Sequence, residues 1–215
     1  MRITQPDRHL LIQFVQQNSH LLTGHLLDVG GQDGKRYRRF FSHVTKYTVL
    51  DPDESARPDI VAGAEKIPLP DASIDDILST EVWMDIYPIH DAIREMARVL
   101  KSGGYLLATT SFMSPICDAP YHYWRFTPYS LLKLLEPYFE EIHITHRGGY
   151  QSVKAQTWIR YRIERWNLYK HPFFGHVFSL LSAIRMHIAI RLDARDTSEI
   201  NKKYTLGFNI IAKRK

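Results

Sequence analysis

The stretch L-L-D-V-G-G-Q-D-G, Leu26 to Gly34, sets the interpretation of the whole chain. Its apolar first residues predict a short buried strand. The glycines that follow, at positions Gly30, Gly31 and Gly34, predict a sharp turn, and without a Cβ the backbone can approach a ligand closely. The basic segment Lys35 to Phe41 is then predicted to form a helix. Strand, glycine-rich turn and helix in this order are typical of the nucleotide-binding corner of an open α/β sheet.

The spacing of the glycines distinguishes three kinds of ligand-binding turn. The dinucleotide pattern G-x-G-x-x-G fails because Gln32 stands two residues after Gly30. The P-loop pattern fails because Arg36 follows Gly34-Lys35 where Ser or Thr is required. The third pattern, D-x-G-x-x-x-G, is present and resembles the first motif of the class I S-adenosylmethionine (SAM)-dependent methyltransferases. A tight turn that binds no ligand is the alternative.

A second acid follows the glycine turn at a suitable distance. The segment Tyr47 to Leu50 predicts a strand, which Asp51 ends 21 residues after Gly30 (51 − 30). An acid at the end of the second strand, about 20 residues past the turn, is placed to accept the ribose hydroxyls of a nucleotide. Because Asp and Pro both favour turns, Asp51-Pro52 as an ordinary strand-ending turn is the alternative.

The middle of the chain extends the resemblance. The run A-E-K-I-P-L-P-D, Ala64 to Asp71, and the helix end R-V-L-K-S-G-G, Arg98 to Gly104, are similar to the family's central motifs. The resemblance implies a bound SAM, with S-adenosylhomocysteine as product. Gly63 stands where the family usually has an aspartate for the adenine amino group, so the adenine must be held otherwise, and Glu65 is the candidate. A solvated turn residue at Glu65 is the alternative. The residues implied to hold the cofactor are Asp28, Gly30, Gly31, Gly34, Asp51, Pro52, Ala64, Glu65, Thr80 and Glu81.

The acceptor is expected to bind at the segment P-Y-H-Y-W-R-F-T-P, Pro120 to Pro128, which follows the fifth predicted strand. Its Y-W-R-F-T-P core resembles a segment of methyltransferases associated with cell-surface glycan synthesis. His122 is the candidate catalytic base, since histidine titrates near neutral pH. Aromatic packing of the loop around a structural histidine is the alternative. The candidate acceptor-binding residues are Tyr121, Tyr123, Trp124 and Arg125.

Several further chemistries lack the residues that they require. Ser79 to Val82 differs from the Asn/Asp-Pro-Pro-aromatic tetrad of enzymes that methylate exocyclic amines of bases. Cys117 has no supporting motif for C5 methylation of a base, and we expect a buried, inert thiol. A single cysteine also permits neither an internal disulfide nor a thiolate zinc cluster. No metal is expected.

Composition fits a globular protein of ordinary size, with 215 residues and 44% hydrophobic residues. The net charge of +5 permits an anionic partner, but no block of like charge suggests a nucleic-acid arm, and no specific nucleic acid is expected. No apolar run of about 18 residues is free of charge, so a membrane span is not expected. The expected location is the cytoplasm, with peripheral contact to the inner face of a membrane as an option.

Alternating strands and helices predict an α/β fold with a doubly wound, seven-stranded Rossmann-like sheet whose last strand is antiparallel. We expect one methyltransferase domain over residues 1–215, in which residues 148–203 form a helical insertion before the final strand. The insertion is interpreted as a lid or as core packing. A dimer or membrane contact through residues 157–192 is the alternative. It carries an apolar stripe at helical spacing, formed by Val177, Leu181, Ile184, Ile188 and Leu192.

These features predict a SAM-dependent methyltransferase that acts on a small-molecule or glycan-precursor acceptor, at oxygen. An RNA methyltransferase is one alternative, suggested by the positive charge. A non-catalytic binding module with this fold is a second one, suggested by the departures at Gln32 and Gly63.

Overall fold

A computed structural model describes residues 3–215 of the chain, apart from the side chain of Pro172. Its strands are β1 His25–Val29, β2 Lys46–Asp51, β3 Ile60–Val61, β4 Asp76–Thr80, β5 Tyr105–Ser111, β6 Phe139–Arg147 and β7 Gly207–Arg214. Its α-helices are α1 Pro6–Asn18, α2 Ile89–Val99, α3 Pro128–Leu135, α4 Tyr150–Arg165, α5 Pro172–Arg195 and α6 Glu199–Lys203.

The seven strands form one sheet in the order β3-β2-β1-β4-β5-β7-β6. Strand β1 pairs in parallel with β2 and β4, and β4 pairs in parallel with β5. The start of β5 faces the end of β7, where the amide of Gly103 donates to the carbonyl of Arg214 at 2.8 Å. At the opposite end of β5, the amide of Phe112 donates to the carbonyl of Leu206. Strand β7 is therefore antiparallel, which confirms the predicted Rossmann-like sheet.

The parallel register places the predicted cofactor residues at one edge of the sheet. Asp28 in β1 lies opposite Val49 in β2 and Leu78 in β4. Parallel strands end at the same edge, and ligands of open α/β sheets bind outside their carboxyl ends. The turns that follow β1, β2 and β4 consequently come together, although their residues are far apart in the sequence.

The predicted helix Lys35 to Phe41 is wrong. The segment forms turns and one short 3-10 helix, Arg38–Phe40. Its first residues carry several cations, which interact unfavourably with the positive end of a helix dipole. A helix of seven residues would also be too short to recover the cost of nucleation without strong packing. Instead, the buried side chains of Tyr37 and Phe41 hold this irregular segment in place.

Three further elements differ in detail from the sequence pattern. The pattern predicts a helix over His9 to Gln17 that buries Leu10, Phe14 and Leu11, whereas α1 buries Leu11 and Val15. It predicts a fourth strand from Ser73 to Ser79, but β4 begins at Asp76, and Ile74 makes only an isolated bridge to Leu100. A helix predicted from Pro88 to Leu100 by its apolar periodicity is confirmed as α2. Its buried residues are Ile89, Ala92, Ile93, Met96, Ala97 and Val99.

The chain divides into two compact units. The sheet unit comprises Phe14–Thr110, Cys117–Thr145 and Asn209–Lys215. The helical unit comprises Met1–Gln13, Ser111–Ile116 and His146–Phe208, and it contains the whole insertion predicted at 148–203. A single domain over residues 1–215 stays a prediction.

In the helical unit, α4 and α5 pack against each other. The small core contains Ile159, Ile163, Leu168 and Phe178, and the ring of Trp158 stacks on Phe178 with centroids 5.5 Å apart. The apolar stripe from Val177 to Leu192 is exposed, and α5 buries the opposite side.

Helix α5 is also long and apolar enough to cross a membrane, judged by length and composition only. The segment Phe173–Arg195 has a mean hydropathy of 1.5, and 28% of its apolar window is buried. The segment contains Arg185, so it is not free of charge, and the expectation that the chain has no membrane span stays a prediction.

The carboxylate of Asp76 joins three segments of the sheet unit. It accepts the backbone N–H of Thr23 at 2.6 Å and that of Tyr105 at 2.7 Å. Asp76→Ala leaves both donors without a protein acceptor, so we expect the free energy of unfolding to fall by about 2–4 kcal/mol. Urea denaturation measures the loss. Asp76→Asn keeps one acceptor oxygen and should lose less, whereas equal stability of all three proteins would contradict this role.

Candidate cofactor and acceptor site

The glycine turn after β1 is packed too tightly for side chains. Gly30 and Gly34 have φ values of +75° and +67°, a region that favours glycine. A Cβ on Gly30 would overlap the side chain of Val82, and a Cβ on Gly31 would overlap the carboxylate of Asp28. The amide of Gly30 donates to the carbonyl of Leu50 at 2.7 Å, which fixes the turn to the end of β2.

Gln32, which departs from the family pattern, adopts the backbone that the pattern requires. Its φ of +53° lies in the left-handed region, at a cost of about 1 kcal/mol for a residue other than glycine. Its amide donates to Oδ2 of Asp51 at 2.9 Å. The turn is therefore kept despite the substitution, and it is joined directly to the second predicted acid.

Asp28 is buried beneath this turn. The hydroxyl of Tyr47 donates to its Oδ2 at 2.5 Å, while Oδ1 is buried with no hydrogen-bond partner among the described residues. Burial, with a smaller contribution from the charge of Asp51, raises the pKa of Asp28 to about 7. A ligand cation at this point would supply the missing partner and favour the carboxylate form.

Asp51 is oriented by two backbone donors. Its Oδ2 accepts from Gln32, and its Oδ1 accepts from the amide of Asp53 at 2.9 Å. A carboxylate oxygen can accept more than one hydrogen bond, so both oxygens keep capacity for a pair of ribose hydroxyls. Pro52 is exposed on the same turn.

The turn after β3 contains the remaining predicted adenine contacts. Ala64 is buried and Glu65 is exposed. A Cβ on Gly63 would overlap both carboxylate oxygens of Glu65, so that carboxylate occupies the space of the missing side chain at position 63. A role of Glu65 in place of the usual aspartate stays a prediction.

The end of β4 contributes a buried and a strained residue. Thr80 is buried and hydrogen-bonds the side chain of Tyr37, which sequence reasoning did not select. Glu81 has φ +56°, and its amide donates to both the carbonyl and Oγ1 of Thr109. Left-handed residues other than glycine persist where surrounding contacts hold them, often at functional sites.

The predicted acceptor segment is attached to the loop that follows β4. The amides of Tyr123 and Trp124 both donate to the carbonyl of Met84, and the indole N–H of Trp124 donates to the carbonyl of Ile86 at 2.9 Å. The ring of Tyr87 lies 5.3 Å from that of Tyr123 and 6.4 Å from that of Trp124. We define Tyr87, Tyr123 and Trp124 as the aromatic platform.

The rings of the aromatic platform remain exposed, with Tyr87 at 69%. Sequence reasoning missed Tyr87 because nothing in its spacing relates it to a segment more than 30 residues later. Tyr121 is exposed, and its amide donates to the carbonyl of Asp118 at 2.8 Å.

Burial raises the pKa of Asp85 and lowers that of His122, and the charge of Arg125 lowers both pKa values to a smaller extent.

His122 is almost fully buried, with its side chain 4% exposed. Its Nδ1 lies 3.2 Å from Sγ of Cys117 and 3.6 Å from Oδ1 of Asp85. Its Nε2 is buried with no hydrogen-bond partner among the described residues. Burial first, and then Arg125, lowers the pKa of His122, so the ring is neutral at pH 7. Cys117 is half-buried and its Sγ contacts His122, which corrects the expectation of a buried thiol, whereas its inertness stays a prediction.

Asp85 has the opposite shift. Burial raises its pKa to about 6, and the charges of Asp118 and Glu81 contribute to the increase. The loop after β4 and the segment around His122 therefore combine a neutral imidazole with several acids. Within residues 3–215, apart from the Pro172 side chain, no group of three His, Cys, Asp or Glu side chains is arranged to hold a metal ion.

Residues 27–108 match a family model described as a methyltransferase domain. That span contains the glycine turn, Asp51 and the whole of β2, β3 and β4, together with parts of β1 and β5. Together with the sheet order, this match supports the Rossmann-like fold of the class I SAM-dependent methyltransferases. Comparison with curated proteins found no match.

Solved structures with the same fold differ widely in function. A possible histamine N-methyltransferase from Thermotoga maritima is 16% identical with a TM-score of 0.58, and the alignment covers 96% of this chain and 89% of that one. The 4+2 cyclase SpnF is 19% identical with a TM-score of 0.61, covering 97% and 81%. Phosphoethanolamine N-methyltransferase 2 of Haemonchus contortus, in complex with SAM, is 14% identical with a TM-score of 0.62, covering 96% and 52%. At these identities the likeness extends to the fold alone.

The raised pKa of Asp28 predicts a pH-dependent stability. The folded protein holds a proton on Asp28 up to about pH 7, whereas the unfolded chain releases it near pH 4. As the pH rises from about 4 to above 7, wild-type stability should therefore fall by up to roughly 4 kcal/mol relative to Asp28→Asn. Urea denaturation of both proteins at pH 4 and pH 8 measures this difference. If the difference in unfolding free energy between wild type and Asp28→Asn does not change with pH, the pKa of Asp28 is not raised.

Proposed function

We propose that the protein binds SAM at the carboxyl edge of β1, β2 and β4 and transfers its methyl group to a small-molecule or glycan-precursor acceptor, at oxygen. The observation that carries the proposal is the buried Asp28, whose Oδ1 has no partner among the described residues and lies beneath a turn that excludes side chains. An unpaired buried carboxylate oxygen is costly, and a bound ammonium group would compensate it.

The residues at this edge suit the three parts of the cofactor. Asp28 and the glycine turn would hold the amino-acid end, and Asp51 would accept the ribose hydroxyls. Ala64 and Glu65 would contact the adenine, while Thr80 and Glu81 would border the methionine side. The cofactor supplies an activated methyl group on a sulfonium, and transfer leaves S-adenosylhomocysteine. The protein's main task is then to align the acceptor, an effect worth up to about 7–11 kcal/mol in ideal cases.

His122 is proposed as the base for a hydroxyl acceptor. A protonated hydroxyl is a poor nucleophile, so its proton must leave as the new bond forms. The neutral ring can accept that proton at Nε2, which lacks a partner among the described residues. Asp85, 3.6 Å from Nδ1, would stabilise the resulting imidazolium. The aromatic platform would stack on the face of a sugar or another ring.

A second candidate is an amine acceptor. Asp118 and Glu81 are close enough to Asp85 to raise its pKa, so three acids share this region of the sheet unit. A cationic amine would be attracted to such a cluster. A panel of hydroxyl and amine compounds with radiolabelled SAM would distinguish the two candidates by which class is labelled.

An RNA methyltransferase and a non-catalytic module can each be tested directly. The positive net charge is the feature that suggests an RNA substrate. Residues 150–195 contain eight Lys or Arg and two acidic residues, a net charge of +6, so the rest of the chain has a net charge of −1 (+5 − 6). The positive charge is therefore concentrated in residues 150–195. Labelling of RNA with a steep salt dependence would favour an RNA methyltransferase. Failure to bind SAM would favour a non-catalytic module. We propose a cytoplasmic location, in keeping with the single free cysteine.

Asp51→Ala should weaken SAM binding by about 10- to 100-fold, since hydrogen bonds to a charged group contribute about 1.5–3 kcal/mol. Isothermal titration calorimetry with SAM and with S-adenosylhomocysteine measures the affinities. The exposed Asp53 lies on the same turn, and Asp53→Ala is the matched control that should retain wild-type affinity. Absence of binding to the wild-type protein, or equal affinity of wild type and Asp51→Ala, would contradict the proposed cofactor site.

His122→Asn should lower the rate of methyl transfer by about 10²–10⁴-fold and leave SAM affinity unchanged. Wild-type activity should fall as the pH drops through about 6, because Asp85 becomes neutral there, and protonation of His122, whose pKa burial lowers, reduces the activity further in acid. The rate with the best acceptor from the panel, measured from pH 5 to 9, checks both effects. A fully active His122→Asn variant would remove His122 from the mechanism.

A further inference from the structure

Helix α5 presents a continuous apolar stripe to solvent. Phe173, Val177, Leu181, Ile184 and Ile188 lie three or four residues apart, so they share one side of the helix. They are between 52% and 75% exposed, and Leu192 extends the stripe at 44%. From Phe173 to Leu192 the stripe is about 29 Å long, at 1.5 Å per residue. An exposed apolar surface of this length is typical of an interaction site.

The N-terminal part of this stripe borders a groove. The groove encloses about 320 Å³, and its walls include Trp166, Phe174, Val177 and Leu181. Its lining is almost entirely apolar, although it opens to the surface. An apolar chain could enter it without leaving a polar group unpaired.

The surroundings of the stripe are strongly basic. The +6 charge of residues 150–195 exceeds the net charge of the whole chain, +5. Both acids in this range are already engaged. Asp193 accepts the amides of Gly149, Gln151 and Ser152, and Glu164 pairs with Arg160 at 3.0 Å.

The cations that remain lie near both ends of α5. Among the described residues, Arg165, Lys170, Arg191 and Arg195 are exposed and form no ion pair. Arg191 and Arg195 continue the line of the apolar stripe at its C-terminal end. The apolar stripe and these unpaired cations are complementary to a surface in which anionic groups lie above an apolar layer.

The side of α5 opposite the apolar stripe is buried in the helical unit. Phe178, Ser182, Met186 and Ala189 are buried. In mid-helix, the guanidinium of Arg185 lies 4.7 Å from the centre of the Trp158 ring, which Arg162 also contacts at 3.9 Å. Spanning a bilayer would separate α5 from α4 and place Arg185 near the membrane centre, which is costly. A position along the membrane surface keeps both contacts.

We propose that the apolar stripe of α5 and its flanking cations bind the surface of an anionic phospholipid bilayer, with the helix parallel to the membrane plane. Apolar burial and electrostatic attraction act together in such interfacial helices. Cationic groups are drawn to the negative surface potential of the bilayer and lose that attraction as salt screens it. This proposal does not depend on the methyltransferase activity.

The test is co-sedimentation of the purified full chain with vesicles of phosphatidylglycerol and phosphatidylcholine, compared with vesicles of phosphatidylcholine alone. The protein should bind the anionic vesicles at least about tenfold more strongly and lose most of this binding at about 0.5 M salt. No binding to either kind of vesicle would overturn the proposal. Bound protein that sodium carbonate cannot extract would also overturn it, in favour of a spanning helix.

Two pairs of variants locate the contact. Leu181→Asn with Ile184→Asn should lower anionic-vesicle binding at least about tenfold. The matched control, Leu132→Asn with Ile200→Asn, changes exposed helical residues elsewhere and should bind as wild type. Arg191→Gln with Arg195→Gln should also weaken binding, whereas Lys133→Gln with Lys202→Gln, which removes the same charge, should not.

Thermal unfolding of each variant establishes that it is folded, since all the substituted residues are exposed. Equal binding by the stripe variant and wild type would overturn the proposal. A stripe that mediates self-association instead would show a concentration-dependent dimer in analytical ultracentrifugation, abolished by Leu181→Asn with Ile184→Asn, and no vesicle binding. That result would show that the apolar stripe binds a second copy of the chain and not a lipid surface.

Discussion

The buried carboxylate of Asp28 is the constraint on which the candidate site depends. It leaves no space for a Cβ at Gly31, and the hydroxyl of Tyr47 holds one of its oxygens. Its second oxygen is buried without a partner among the described residues, so the free protein carries an acid whose pKa is raised to about 7. When Asp28 is ionised, its buried charge lowers the stability of the folded protein unless a ligand cation binds next to it. The arrangement therefore favours binding of a positively charged ligand over stability of the empty site.

The two sides of the site are built differently. On the side proposed to hold the cofactor, backbone geometry dominates, because positive-φ residues and a direct hydrogen bond from Gln32 to Asp51 connect the ends of β1 and β2. On the side proposed to hold the acceptor, side chains dominate, with the aromatic platform next to a neutral His122 and the acid Asp85. Backbone positions constrained in this way tolerate few substitutions, whereas exposed side chains can change without altering the fold.

The sequence predicted the parts of the fold that local patterns determine. Local sequence patterns predicted the glycine turn, the position of Asp51 at the end of β2 and the buried stripe of α2. The observed strand order confirms the predicted fold. The helix expected at Lys35 to Phe41 failed because buried aromatic residues, rather than helix formation, hold that segment. The packed face of α5 could not be predicted because the helix is apolar on nearly all sides, so periodicity does not select one. Tyr87 and Asp85 were missed because their partners lie more than 30 residues away.

The most direct test of the role of Asp28 is its pKa in the free and SAM-bound protein, followed by NMR of the ¹³C-labelled carboxyl group. The free protein should titrate near pH 7. If the ammonium group of SAM reaches Oδ1, the pKa should fall by at least about one unit on binding, and the same shift should occur with S-adenosylhomocysteine. Binding of SAM with an unchanged Asp28 pKa would contradict the assignment of this carboxylate to the cofactor.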